Sequence, residues 1–391
     1  MEFRIFDWHF FLEEPLWCSI CLGLFLAVLL YEVLAYSYPA FSRKIKPVDP
    51  NTVQTPVSIV VVVRNEQDRV LALLDALLSQ TYTAPYEVIV VDKNSLDDTD
   101  VQLAARAHDD SRLVVRKLNA DTKFGQDNTL ALGVGIRAAQ YPYVMAMKVE
   151  TVVDHPLWLA TVMRFLPGSN KHVLFCHTAY PQSGAFVRLD MLEQSLAYIA
   201  AAHKGMAYVS DGGVTLFEKE TFYQEHGFNP RITDRQQFEQ AYSGQLIYNG
   251  NSRRTLACVH PQATVTSART LSRPEWKVLR LQGLRAIFLT NGWPYFWLTL
   301  EKTLTLCFYG ALGVTVFRLL YPHGFHRQAL YALCGMVLLL LLRWGFLWIY
   351  RSGYAKRLRE KGLYGWLPLW DLIAPFVHGY FLLKALFTSK R

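Results

Sequence analysis

Uninterrupted apolar stretches lie near both ends of the chain. Residues 16–38 contain a single charge, Glu32, and are long enough for a helix to cross about 30 Å of hydrocarbon. A cleaved signal peptide is the alternative, but the region before this stretch is acidic and no small-residue cleavage pattern follows it. We therefore expect residues 1–15 to be an extracytoplasmic segment and residues 16–38 to be a retained transmembrane helix.

Toward the other end, residues 303–320 and 329–350 are two further apolar stretches joined by a short connection. They predict a transmembrane hairpin. Residues 363–387 are also apolar, but proline and polar residues interrupt them. A spanning, a re-entrant and an interfacial helix all remain open for this last segment.

Between the apolar ends, residues 39–56 predict a linker and residues 57–295 one globular domain of ordinary polarity. The β-branched run 57–63 predicts a parallel strand buried on both faces. Helical spacing over 70–79 and a second apolar run at 86–91 complete a strand–helix–strand unit, whose ligands bind beyond the carboxyl ends of the strands. The alternation continues with helices near 98–108, 129–139 and 157–165 and strands at 113–117, 143–147 and 173–176. The pattern predicts an α/β domain.

Charge refines this picture. The formal net charge is +8, and many of the basic residues follow the first and third apolar stretches. Because Lys and Arg near membrane segments stay on the cytoplasmic side, we expect the central domain to be cytosolic. The excess positive charge indicates contact with anionic lipid headgroups, and no nucleic acid partner is expected. The six cysteines are scattered, which favours reduced, packed thiols.

Three motifs carry a family resemblance. The segments SIVVVVRNEQDRV, LLDALLSQTY and YEVIVVDKNSLDDT follow one another from residue 58 to 99, and in this order they resemble the opening of family 2 glycosyltransferases. Residues 354–373 resemble the tail of bacterial membrane-bound, polysaccharide-synthase-like members. The resemblance implies a GT-A (Rossmann-like nucleotide-diphospho-sugar transferase) fold in the bacterial inner membrane. It also implies inverting transfer from a UDP-type nucleotide sugar to a lipid-linked or glycan acceptor, with polysaccharide-assembly proteins as partners.

The resemblance assigns nucleotide binding to Arg64, Glu66 and Asp92. Asp92 matches the first acid of the usual VDD-x-S pattern, and Lys93 replaces the second. The alternative interpretation of Asp92 is a turn residue at the end of a strand. Both interpretations remain open in the sequence.

The family's D-x-D motif is altered. Lys148 stands in the place of the first aspartate and Glu150 in the place of the second. Glu150 can bind a divalent cation, Mg²⁺ or Mn²⁺, but Lys148 opposes metal binding electrostatically. Lys148 could instead replace the metal and bind the diphosphate directly, or pair with Glu150 in a site without ligand. Asp154, four residues further on, is a weaker alternative source of a carboxylate.

Later motifs supply the remaining candidates. Asp234 matches the family's general base, with capping of a helix as the alternative. Gln282 and Arg285 match a Q-x-x-R-W element that contacts acceptor or diphosphate, with an interfacial amphipathic helix as the alternative. Gln126 and Asp127 stand where relatives commonly have basic residues.

Two functions follow. The first is an active membrane-bound glycosyltransferase. The second is a catalytically inactive relative that acts as a scaffold or binding subunit, which the replacement of acids by Lys93 and Lys148 favours. A transporter is a poor third option, because the cytosolic domain is too large a share of the chain and too few spans are present to line a path.

Overall fold

The structure is a computed structural model that describes residues 15–41, 55–118, 128–167, 169–210, 212–224, 251–289, 293–320, 327–360 and 362–388. It contains ten strands in this part of the chain: β1 Val57–Val63, β2 Tyr86–Asp92, β3 Leu113–Lys117, β4 Tyr143–Lys148, β5 Thr151–Val152, β6 Val173–Cys176, β7 Thr178–Ala179, β8 Val214–Glu218, β9 Thr255–Cys258 and β10 Val265–Ser267.

The α-helices of the same regions fall into two groups. Seven belong to or adjoin the sheet domain: α2 Gln67–Leu78, α3 Thr99–Asp109, α4 Asn128–Ala138, α5 Trp158–Met163, α6 Ala185–His203, α7 Lys219–Gln224 and α8 Arg273–Leu289. Four are long and apolar: α1 Pro15–Phe41, α9 Trp293–Leu320, α10 Arg327–Arg357 and α11 Leu367–Thr388.

Seven strands form one mixed sheet in the order β3-β2-β1-β4-β8-β6-β9. The first four are mutually parallel, and β8 runs antiparallel to both β4 and β6. β1 lies inside the parallel part, which explains its continuous valine run. Helix α4 crosses β1 so closely that a Cβ at Gly135 would lie 2.3 Å from Val60 Cγ1. The predicted α/β fold is confirmed, and the strands at 57–63, 113–117 and 173–176 have the predicted bounds.

The hydrophobic core on one face of this sheet continues into the apolar helices. One cluster joins Val60 and Ile89 of the sheet to Trp370 and Phe381 of α11. A second cluster fills the opposite face, around Leu74, Val90 and Trp158. The sheet domain and the apolar helices therefore share packed side chains and are not joined by linkers alone.

Each of the four apolar helices is long and apolar enough to cross a membrane, over Cys18–Ala35, Thr299–Phe317, Leu330–Arg357 and Leu367–Phe387. The predicted hairpin corresponds to α9 and α10. Helix α11 continues through Pro375 without a break. The polar residues that made this last segment ambiguous in the sequence are covered by neighbours, since Asp371 and His378 are both buried.

Asp371 is covered by an ion pair between helices. Arg343 of α10 donates to the two carboxylate oxygens of Asp371 at 2.6 and 2.7 Å, and to Glu32 of α1 at 3.2 Å. Tyr309 of α9 also donates to Asp371, at 2.5 Å. This network ties all four apolar helices to one another.

A second buried cluster, which we call the junction, ties these helices to the sheet domain. It consists of Glu193 on α6 together with Lys302, Arg351 and Trp370. Lys302 of α9 forms an ion pair with Glu193, Arg351 of α10 lies 3.4 Å from it, and Trp370 Nε1 of α11 donates to it at 2.7 Å. Burial raises the pKa of the Glu193 carboxyl, but the two cations outweigh this and lower it to about 2. Glu193 is therefore a charged anchor.

Candidate functional site

A cleft of about 190 Å³ opens at the carboxyl ends of β1, β2 and β4. The register places Val63 beside Asp92 and Val62 beside Lys148, so the three strands end at the same edge. This edge is where an open α/β sheet binds ligands. Its lining comes mainly from these strand ends and from α4: Val62, Val63, Arg64, Glu66, Lys93, Asn128, Leu132, Ala146, Met147, Lys148, Val149, Glu150 and Gly212.

The loops after β1 and β2 are held to each other. Asn65 and Asn94 have φ angles of 53° and 56°, in the left-handed region that asparagine tolerates better than most residues. The Asn65 amide donates to Ser95 Oγ at 3.0 Å, and Leu96 N donates to Asn65 Oδ1 at 2.7 Å. These bonds fix the position from which Arg64 enters the cleft.

Asp92 takes part in the turn that follows β2. It is fully buried, and its Oδ1 accepts hydrogen bonds from Ser95 N at 3.0 Å and Ser95 Oγ at 2.5 Å. Its Oδ2 is buried without a hydrogen-bond partner in the described part of the chain, and Asp92 does not line the cleft there. Asp92 therefore acts as a turn residue in the structure. Its nucleotide-binding role remains a prediction, and Oδ2 is the atom that would accept a hydrogen bond from the nucleotide.

Cations outnumber carboxylates among the described residues that line the cleft. Arg64, Lys93 and Lys148 face two carboxylates, Glu66 and Glu150. Glu66 already accepts from Arg69 at 2.8 Å, one turn along α2. Lys93 also contacts Asn128 Oδ1 at the start of α4. The arrangement is suited to a ligand that carries several negative charges.

Residues 148–150, where the sequence predicts an altered D-x-D motif, lie where β4 ends. Lys148 N donates to Gly213 O at 3.1 Å, and Glu150 O accepts from Ala268 N at 2.8 Å, so the backbone of this turn is fixed on both sides. Asp154 forms an ion pair with Arg359 at 3.2 Å and is not one of the described residues that line the cleft.

We tested whether a divalent cation of the kind the family uses fits these residues. Among the residues that the structure describes, no three His, Cys, Asp or Glu side chains come together as a ligand set. Hard divalent cations prefer several oxygen ligands, including carboxylates. Glu150 is the carboxylate in place at this motif, and a lysine precedes it by two residues. The donor set does not fit the metal.

Two glycines shape the loop opposite Lys148. Gly212 lines the cleft with φ at 71°. A Cβ at Gly213 would lie 1.9 Å from Thr178 Oγ1. Only glycine allows this close approach, which sets the position of the carbonyl that holds the backbone of Lys148.

The remaining predicted site residues are not brought to the cleft in the described structure. Asp234 and the pair Gln126 and Asp127 lie outside the described residues. Gln282 is half-buried on α8 and is not one of the described lining residues. Arg285 lies on the same helix, and its side chain is outside the described part. Their assigned roles remain predictions.

Local sequence patterns do not mark two buried side chains. Trp276 packs against Phe186 and donates to Asp190 at 2.8 Å. His177, just after β6, is buried, and neither ring nitrogen has a hydrogen-bond partner in the described regions. Burial lowers the pKa of His177 to about 3. Both positions depend on contacts distant in sequence, so no local pattern marks them.

Comparisons with known proteins agree with this geometry. Residues 58–231 match the model of glycosyl transferase family 2. No curated protein sequence matches the chain. Among solved structures, mannosyltransferase PcManGT from Pyrobaculum calidifontis, in complex with GDP-Man and Mn²⁺, has a TM-score of 0.54 at 19% identity, covering 89% of this chain and 100% of that one. This likeness shows the fold, and its coverage extends beyond the sheet domain into the apolar helices.

Two further solved structures have lower scores. Mannosyl-3-phosphoglycerate synthase from Rubrobacter xylanophilus has a TM-score of 0.41 at 15% identity, covering 60% of this chain and 73% of that one. Glucosyl-3-phosphoglycerate synthase from Mycobacterium tuberculosis, in complex with Mn²⁺, UDP and glucosyl-3-phosphoglycerate, has a TM-score of 0.39 at 14% identity, covering 62% and 83%.

Proposed function

We propose that the chain transfers a sugar from a nucleotide donor to an acceptor presented at a membrane, from the premise that residues 58–231 belong to glycosyl transferase family 2 and that the described sheet domain has a GT-A fold. The observation that carries the proposal is the cation-lined cleft at the ends of β1, β2 and β4. It lies at the ligand-binding edge of the sheet and has the charge that a diphosphate needs.

The transfer that we propose inverts the anomeric centre. An acceptor hydroxyl attacks the anomeric carbon, the bond from that carbon to the diphosphate oxygen breaks, and the nucleoside diphosphate leaves with the bonding pair. Asp234 takes the proton of the hydroxyl as general base. Arg64 and Lys148 stabilise the negative charge that develops on the departing diphosphate.

The acceptor that we propose is lipid-linked, or a glycan growing at the membrane of a bacterial cell. The packing of the sheet domain directly against α11 supports this, because a core shared with apolar helices holds the domain beside the bilayer. The basic residues that follow the first and third apolar stretches in the sequence support a cytosolic domain and an inner-membrane location. Polysaccharide-assembly proteins are the partners that this location suggests.

The proposal is tested by turnover. The purified full chain is placed in vesicles of bacterial lipid extract with UDP-sugars and GDP-sugars, and release of UDP or GDP is measured. We expect release with one donor and a loss of about 100-fold or more in Asp234→Asn, with nucleotide binding unchanged. Binding without release from any donor would support a second function, a nucleotide-binding scaffold subunit, for which the lysines in place of acids are the specific observation. Retained release in Asp234→Asn would refute the role of that residue as base.

A further inference from the structure

Three adjacent strands each deliver one cation to the cleft. Arg64 follows β1, Lys93 follows β2 and Lys148 ends β4. Neighbouring strands lie about 4.8 Å apart, and β1 lies between the other two. The three side chains therefore start within about 10 Å of one another.

Among the described residues that line the cleft, these three cations accompany two carboxylates, Glu66 and Glu150. Glu66 pairs with Arg69 on α2 at 2.8 Å, and Asp154 is drawn away by Arg359. Glu150 is the remaining carboxylate of the described lining. In addition, Arg64 Nε is buried with no hydrogen-bond partner among the described residues. A buried guanidinium nitrogen without an acceptor is costly, and it points to a ligand that supplies one.

We propose that a nucleoside diphosphate binds in this cleft without a divalent cation, and that the ammonium group of Lys148 takes the electrostatic role of the metal. This inference rests on the proposed function and specifies how its donor is held. A lysine ammonium is a compact charge with three donors, and Lys148 lines the cleft two residues before Glu150. Arg64 supplies a fixed fork of donors beside it.

The inference makes the affinity depend on salt. Part of the attraction between the cleft and a diphosphate is screened as the Debye length shortens. A chelator such as EDTA removes metal ions, and under this inference no metal ion binds the ligand. High salt should therefore weaken binding while EDTA leaves it unchanged, which is the reverse of the behaviour of a metal-bridged diphosphate.

Isothermal titration calorimetry of the full chain in detergent tests this, with UDP and GDP as probes, each in EDTA and in Mn²⁺. We expect equal affinity in both conditions for the nucleotide that binds. Lys148→Ala should weaken binding by about tenfold or more, which corresponds to the loss of one charged hydrogen bond. Lys171→Ala is the matched control. Lys171 is a lysine that donates to Arg253 O just before β6, and β8 separates β6 from β4 in the sheet. The nucleotide affinity of the Lys171→Ala variant should equal that of the unmodified chain.

A charge reversal sharpens the test. Lys148→Asp restores two acids at the motif and should make binding depend on Mn²⁺, and its thermal unfolding shows whether the variant folds. Binding by the unmodified chain only with Mn²⁺, lost in Glu150→Ala but retained in Lys148→Ala, overturns this inference and leaves the proposed function standing. Failure of both nucleotides to bind in either condition overturns both.

Discussion

The cleft and the junction use the same types of charged residue in opposite ways. In the junction, Glu193 lies between Lys302 and Arg351, and Lys302 also pairs with the buried Glu301 at 3.0 Å, so two carboxylates meet two largely buried cations. In the cleft, the described lining places the cations Arg64, Lys93 and Lys148 in one accessible space with two carboxylates, Glu66 and Glu150. Buried and mutually paired charge indicates a structural anchor. A surplus of one sign in an open cleft indicates a ligand of the other sign.

The largest effect is expected in the junction. Glu193→Ala leaves the cations Lys302 and Arg351 buried without their shared partner, and should lower the free energy of unfolding by about 3–5 kcal/mol. Thermal and denaturant unfolding of the detergent-purified protein measure this. Glu220→Ala is the control, because Glu220 contacts only Gln224 among the described hydrogen bonds and is exposed on α7. Equal stability of the two variants would show that the junction is not an anchor.

His177 provides a case of burial without pairing. Its pKa falls from 6.5 in the unfolded chain to about 3 in the folded protein, so the unfolded state binds the extra proton between these values. Above pH 6.5 the buried neutral ring therefore does not lower the free energy of unfolding. As the pH falls from 6.5 toward 3, the free energy of unfolding decreases. His177→Gln should remove this loss.

Relative to that variant, the unmodified chain should be destabilised by about 3 kcal/mol at pH 4, since each pH unit corresponds to about 1.4 kcal/mol. Denaturant unfolding at pH 7 and pH 4 gives the two differences. If the difference in free energy of unfolding between the two proteins is the same at both pH values, His177 is not held neutral by burial.

A smaller effect is expected at the loop beside the cleft. Gly213→Ala places a Cβ against Thr178 and should cost about 1–3 kcal/mol, as overpacking does. Thr178→Ala in the same protein removes the contacted hydroxyl and should restore part of the stability. Comparison of the single and double variants by thermal unfolding measures the coupling. Strictly additive effects would contradict a direct contact.

The smallest effect should be found in the cleft itself. Lys148→Ala should change the free energy of unfolding by less than about 1 kcal/mol, because partly exposed charges contribute little to folding. The same variant loses nucleotide affinity under our inference. A loss of stability as large as that of Glu193→Ala would place Lys148 with the structural charges and erase the contrast between the two regions.

The sheet could be predicted because its signal is local. The apolar, β-branched run between Pro56 and Arg64 predicts a strand buried on both faces, and β1 has those bounds in the structure. The cleft followed from the rule that ligands bind at carboxyl ends of parallel strands. By contrast, β5, β7 and β10 are two or three residues long, too short to produce a pattern.

The remaining features depend on partners far away in the chain. Asp371 weakened the prediction of a membrane span, yet Arg343, 28 residues away, covers it. The indole N–H of Trp276 donates to the carboxylate of Asp190, 86 residues away. Glu193 carries no local mark of its role. A sequence shows which charges exist, and the fold decides which of them are paired.

The central claim is that the cleft holds the diphosphate of the donor, and a structure of the full chain determined with the nucleoside diphosphate that binds tests it most directly. We predict density for the diphosphate between Arg64 and Lys148, within hydrogen-bond reach of both side chains and unchanged when EDTA is present. A nucleotide bound elsewhere, or a diphosphate held through a cation on Glu150 with Lys148 turned away, would contradict the account.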